Sequence, residues 1–186
     1  MKKWLTYASS SNWLRVVGVG TIILLTAYVL IQQSTRLAAD DLPLATAQTI
    51  SHELADGMAA QAAVPPVKTD LKTDSTVFAT VVDSSYKVLA SSGQLDGAVS
   101  LPPTGSFGGL PATGVNRFTW QPEPGVRIAT VIVPFSHGST SGFVIAGQSL
   151  KQAESRIADY GWITLAGWLG IVLWATFIPI PVRQSS

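Results

Sequence analysis

Residues 77–97, VFATVVDSSYKVLASSGQLDG, decide the fold. VFATVVD and YKVLAS are rich in β-branched and aromatic residues, and Asp83, Ser84 and Ser85 separate them. That is the pattern of two strands around a polar turn. The same period continues downstream. VNRFTWQ and GVRIATVIVPF flank Pro122, Glu123, Pro124 and Gly125 as a second hairpin, and SHGSTSG turns into GFVIAGQSL. Five strands in antiparallel order are therefore predicted, the last running into the helical residues KQAESRIADY. LDGAVSLPPTGSFGGLPATG, rich in Gly, Pro and Ser, predicts a long loop. Upstream, DDLPLATAQTISHELADGM reads as an amphipathic helix with Asp40 or Asp41 as N-cap, Pro43 in the first turn and Gly57 near the end. Ala47, Ile50, Leu54 and Met58 form its apolar face, and His52, Glu53 and Asp56 its hydrated one. This helix is expected to cover one face of the sheet and to continue from an earlier apolar segment, with a break near Pro43. Pro65 and Pro66 in AAVPPVKTDLKTDS end the helical pattern.

The surrounding composition points to lipid. Of 186 residues, 47% are hydrophobic and only 12% charged, about half the charge of an average soluble domain. Two uncharged windows account for the deficit: Val16–Ile31, extending to Arg36, and Tyr160–Pro181. Each is near the ~20 residues that cross the hydrocarbon as a helix. The first also has the features of a cleaved secretory signal, but a small-x-small cleavage site is missing, so an uncleaved anchor is the expected reading. Lys2, Lys3, Arg15 and Arg183 lie outside the windows, while all eleven acidic residues lie between them with the other eight basic ones. Positive flanks stay in the cytoplasm, so both termini are expected inside and the central domain outside the cell (inner) membrane. The resulting layout is a tail (1–15), a first span (16–35), an extracytoplasmic domain (36–159), a second span (160–181) and a tail (182–186). The absence of cysteine fits an oxidising compartment.

VFATVVDSSYKVLASSG, where a strand ending in Asp83 turns into a second, and GFVIAGQSLKQAESRI, where the last strand passes into the exit helix, resemble the extracytoplasmic PAS-like sensor domains, the Cache group, of bacterial histidine kinases and chemoreceptors. The resemblance implies an α+β fold: an antiparallel five-stranded PAS-like sheet covered by an N-terminal helix and flanked by two transmembrane helices. It also implies that the domain binds a small molecule or a partner and moves the second membrane helix. The five residues after Pro181 leave no phosphoacceptor or ATP module, so the expected output is to another membrane protein. The alternative is an envelope scaffold or assembly factor that binds a protein partner and senses nothing.

The residue chemistry predicts no enzyme, no metal site and no cofactor. His52 and His137 lie far apart without a ligand-spaced neighbour, and neither a GxSxG elbow nor a phosphate loop with its lysine occurs. An acidic outer domain repels nucleic acid. The candidate ligand-binding residues are Arg117, Trp120 and Arg127 around the second hairpin. Alternation puts Arg117 with Thr119 on one face, Phe118 with Trp120 on the other, and Arg127 at the start of a face shared with Ala129, Val131 and Val133. Arg127 there suits a ligand carboxylate. The structural alternative, in which it pairs with Glu123 across the turn and Trp120 simply packs, is the expected one. In the second span, Ala166 and Gly170 form a small-xxx-small pair suited to close packing, against the first span or in a dimer, with the same chain's span the expected partner. Trp162 suits the outer interface.

Overall fold

The computed structural model describes residues 2–108 and 114–177, with side chains from Trp13 onward. The expected tail 182–186, the end of the second span from 178, and residues 109–113 of the Gly-rich loop lie outside the described residues. The chain forms two compact units. One comprises the chain up to Ser34 together with the chain from Ser155; the other is Thr35–Glu154.

Thr35–Glu154 has an α+β architecture. It contains α2 (Asp41–Ala55), α3 (Ala60–Ala63), β1 (Thr69–Asp70), β2 (Phe78–Asp83), β3 (Val88–Ser91), β4 (Gly93–Gln94), β5 (Asn116–Glu123), β6 (Val126–His137) and β7 (Thr140–Ser149). The five longer strands make one sheet in the order β3-β2-β7-β6-β5, antiparallel at every junction. β1 and β4 form a separate two-residue parallel ladder. Tyr86, expected within a strand, instead stands in the preceding turn with φ 64°. Asp83 dictates this: its Oδ1 accepts the Ser85 and Lys87 amides at 2.8 and 2.9 Å, and its carbonyl accepts the Tyr86 amide. The left-handed backbone turns the Tyr86 ring onto Phe107 and Phe143, at centroid distances of 4.7 and 6.1 Å. Aromatic packing of this kind offsets an unfavourable φ.

Period-two alternation sorts the sheet into two faces. Ala79, Val81, Val131, Val133, Phe135, Val144 and Ala146 pack against Ala47, Ile50 and Leu54 of α2. The helix therefore covers one face, as its pattern predicts. Its entry break falls at Ala39–Asp40, because the ring of Pro43 is incompatible with a helical carbonyl four residues earlier, at Ala39. Its exit is a Schellman motif: Met58 N–H to the Glu53 carbonyl, Gly57 N–H to the Leu54 carbonyl, and Gly57 at φ 94°. Met58 consequently lies past the helix end and is exposed, a departure from the apolar face expected of it. His137 at the end of β6 closes the motif, its Nδ1 2.6 Å from the Ala55 carbonyl.

The second face is also buried. From Ile128 to Val133 every residue of β6 is buried, which one covered face cannot produce. The cover is drawn from the segment expected as a long loop, together with Leu71 just after β1. Leu71, Leu95, Leu101 and Phe107 lie over Phe78, Val82, Ile128, Ile132 and Ile145, and a short 3-10 turn (Thr104–Ser106) precedes Phe107.

The other unit pairs two helices, α1 (Lys2–Ala38) and α4 (Lys151–Phe177), each long and apolar enough to cross a membrane. Their contacts run antiparallel. Trp13 Nε1 donates to Thr176 Oγ1 at 3.2 Å, and Trp168 Nε1 to Thr21 Oγ1 at 2.8 Å. Gly20 lies against Ile171 and Gly161 faces Tyr28. The expected packing of Ala166 and Gly170 against α1 is not what forms. Both are exposed, and a Cβ on Gly170 has nothing within 4 Å. The helix phase explains this, since the contacts at Gly161, Trp168 and Ile171 fix a different stripe toward α1.

One glycine in the sheet has no freedom to change. A Cβ on Gly142 of β7 stands 2.1 Å from the Val82 carbonyl and 2.9 Å from the Phe135 ring. Gly142→Ala is expected to destabilise the fold by about 3 kcal/mol or more, whereas Gly105→Ala, with nothing within 4 Å, stays within ~0.5 kcal/mol. Chemical denaturation of the two variants measures the contrast.

Candidate functional site

The three residues of the second hairpin go to different places. Arg127 is exposed and pairs with Glu154 in the first turn of α4 at 2.6 Å, not with Glu123 across the turn. Arg117 is exposed on the α2 side of the sheet, where its guanidinium acts on Asp40. Burial raises the Asp40 carboxyl above its ordinary range, and Arg117 opposes that rise. Trp120 projects from the opposite face and packs with Leu71, Phe78, Leu95, Val126 and Ile128. The structure thus separates both arginines from the tryptophan by the thickness of the sheet.

Trp120 packs, but its polar end is unserved. The indole Nε1 is buried without a hydrogen-bond partner, and so is the hydroxyl of Thr130, whose side chain is 0% exposed. The two are neighbours by register. Trp120 is opposite Ile128 and Phe118 is opposite Thr130, so Trp120 and Thr130 sit diagonally on one face. Thr130 lies at a seam. Ile128 on one side belongs to the cluster with Leu71 and Leu95, and Ile132 on the other to the cluster with Phe107 and Leu101. On β7 its opposite residue is Gly147, over which the Phe78 ring lies, within 2.8 Å of where a Cβ belongs. Nearby hydroxyls on the same face are paired: Thr80 Oγ1 meets Ser91 Oγ at 2.7 Å.

The cover over this face is fastened at its rim. Lys72 Nζ bridges Asp96 at 2.7 Å and Glu123 at 2.9 Å, joining the segment after β1, the segment after β4 and the end of β5. The β1–β4 ladder aligns Thr69 with Gly93 and Asp70 with Gln94. Asp70 and Asp74 fold the intervening turn by accepting the Lys72 amide and the Asp70 amide, both at 2.8 Å. Hydrogen bonds to Asp96 and Glu123 raise Lys72 to about 12, and the bond from Lys72 holds the Asp96 carboxyl below its usual range.

One of these signals is present in the sequence. Thr130 is the lone hydroxyl in the apolar run IATVIV, and alternation places it with Trp120 and Phe118. The Lys72–Asp96–Glu123 clasp has no local spacing to reveal it, because its members come from three segments. Among the described residues no group of three or more His, Cys, Asp or Glu is arranged to hold a metal. Comparison with protein-family models, with curated proteins and with solved structures finds no match.

Two outcomes follow from this geometry. Thr130→Val, which removes a buried unpaired hydroxyl without changing side-chain shape, is expected to raise stability by about 1 kcal/mol, while Thr80→Val, which breaks a made bond, lowers it by about 1 kcal/mol; denaturant titration reads both. The clasp has a pH window. The Asp96 contribution is complete above 3.8 and is lost as pH falls through the lowered value, and that of Lys72 is complete below 10.5 and is lost as pH rises through about 12. The protection factors of the Leu71 and Leu95 amides, that is, their exchange corrected for the intrinsic pH dependence, are expected to be flat between those limits and to fall outside them, and Lys72→Met removes the dependence.

Proposed function

We propose that this chain is a two-span membrane protein whose central domain, of PAS-like kind, lies outside the cell membrane with both termini in the cytoplasm. The domain senses a small molecule or a partner and passes the change through α4 to another membrane protein. What supports this reading is the join between sheet and exit helix. β7 ends at Ser149 and α4 begins at Lys151, so a single residue, Leu150, separates the central strand from an apolar helix. Leu150 N–H donates to the Arg127 carbonyl at 2.8 Å, and the Arg127 side chain reaches Glu154. The first turn of α4 is thereby tied to the strand that carries Thr130 and pairs with Trp120. A rearrangement of the sheet has a short, well-defined route into that helix.

Two measurements test the reading. The chain has no cysteine, so Ser84→Cys and Ser9→Cys each introduce a unique thiol. A membrane-impermeant maleimide on intact spheroplasts is expected to label the first and not the second; the reverse overturns the topology. For coupling, hydrogen exchange of the full chain in nanodiscs is followed against carboxylates, amino acids, sugars, alcohols and ketones. One compound is expected to slow exchange both in the sheet and in residues 151–159, and Glu154→Gln to keep the first effect while weakening the second. A domain that responds to no compound supports the envelope scaffold instead.

A further inference from the structure

We infer that the seam between Trp120 and Thr130 is a binding site for a small uncharged molecule carrying a hydrogen-bond-accepting oxygen, such as a ketone or an alcohol. The inference rests on the sensor reading and names the ligand class for it. Two observations carry it. The indole N–H and the threonine hydroxyl are both buried and both without partners, and they are diagonal neighbours on one face of the sheet. An indole nitrogen only donates, and a hydroxyl donates or accepts. The complementary group is therefore an oxygen with lone pairs, presented to the two donors together. Leaving such groups unmade in a dry interior is costly, so an occupant that accepts from both gains more than its apolar contact alone.

The surroundings decide the charge. The seam is walled by Phe78, Phe118, Ile128 and Ile132, with Leu71 and Leu95 in the cover. A carboxylate buried there needs a cation beside it, and the nearby basic side chains are committed or elsewhere. Lys72 is held at the rim by Asp96 and Glu123. Arg127 is engaged by Glu154, and Arg117 lies on the other face of the sheet. The ligand class is therefore a neutral oxygen and not the carboxylate that Arg127 would suit. Entry is by the cover, which is fastened by a two-residue ladder and an exposed ion cluster rather than by a packed helix. Segments held in that way open at lower free energy than the sheet beneath them.

The test uses the full chain in nanodiscs with ¹⁵N-labelled tryptophan, so that each indole N–H gives one resonance and Trp120→Phe identifies its own. The probes are 2-pentanone and 1-butanol, with sodium butyrate as the charged counterpart of similar size. The expected result is a saturable shift of the Trp120 resonance by at least one neutral probe, no saturable shift with butyrate, and at least a tenfold weakening of the neutral probe in Thr130→Val. Because Thr130→Val keeps the side-chain shape, an unchanged spectrum elsewhere shows that the fold persists. A Trp120 resonance indifferent to both neutral probes, as when only an ordered water serves the two donors, overturns the inference. So does an equal response to butyrate, or a response that survives Thr130→Val. Failure here, with a ligand-dependent slowing of exchange in residues 151–159 by some other compound, removes this site and leaves the sensor reading standing; failure of both removes the sensor reading as well.

Discussion

Burial of both faces of β6 and β7 is the constraint on which the sheet domain, Thr35–Glu154, depends. These strands occupy inner positions of the sheet, and Ile128, Val131, Ile132, Val144, Ile145 and Ala146 are all at most 1% exposed. One face is met by α2, whose backbone is internally hydrogen-bonded and whose apolar stripe fits it. The other is met by chain with little regular structure, which must satisfy its own polar groups piecemeal. The devices are visible: a two-residue ladder, a reciprocal pair of amide bonds between Leu95 and Ala98, the Asp70 and Asp74 turn, and a single 3-10 turn. The two covers therefore differ in kind. α2 is further locked by Ser51 Oγ to the Pro134 carbonyl at 2.9 Å and by His137 to Ala55. The unpaired groups of Trp120 and Thr130 occur under the irregular cover.

This difference also explains what was legible in the sequence. The five strands were readable because their alternation is a local property, and α2 because its stripe and caps are local too. The turn after β2 reads as a hairpin, but composition puts Tyr86 in a strand, since the left-handed φ is imposed by the Asp83 carboxylate and rewarded by Phe107 and Phe143, residues far away in the chain. The Gly-, Pro- and Ser-rich stretch reads as a long loop because composition reports backbone freedom, not whether Leu101 and Phe107 find a surface to bury. Alternation puts Arg127 on a face with Ala129, Val131 and Val133 but does not name its partner, since Glu154 is near only because Leu150 turns the chain from strand to helix beside it.

The two apolar helices show the same limit in another setting. A small-xxx-small pair states that close approach is permitted on one stripe of a helix, not which stripe a neighbour occupies. The stripe that faces α1 is chosen by groups with fewer alternatives: the indole of Trp168 and the hydroxyl of Thr21, which bond to one another, and Gly20, where a Cβ would stand 3.0 Å from the Ile171 side chain. Interhelical hydrogen bonds of this kind fix the rotation of one helix against another because they require particular groups to meet. Ala166 and Gly170 are left on the exposed side by that choice.

The magnitudes also constrain how the proposed sensor would transmit. The Arg127–Glu154 pair is half exposed on both sides, and exposed ion pairs contribute roughly 0–1 kcal/mol. It cannot by itself hold α4 in one position against a competing arrangement. The firmer tie is covalent and main-chain: β7 passes to α4 through Leu150, whose amide is fixed to the Arg127 carbonyl. A shift of β6 relative to β7 is resisted by a register of ten paired residues, so the two move together, and the helix start moves with them. The lever is then the edge of the sheet, where β5 carries Trp120 and its register against β6 is broken between Trp120 and Glu123. A bulge at that point lets the hairpin bend without disturbing the inner ladder, and Arg127 begins the return strand just beyond it. On the proposed sensor reading, a ligand would act on the hairpin, the backbone would carry the displacement to Leu150, and the ion pair would set only the resting bias.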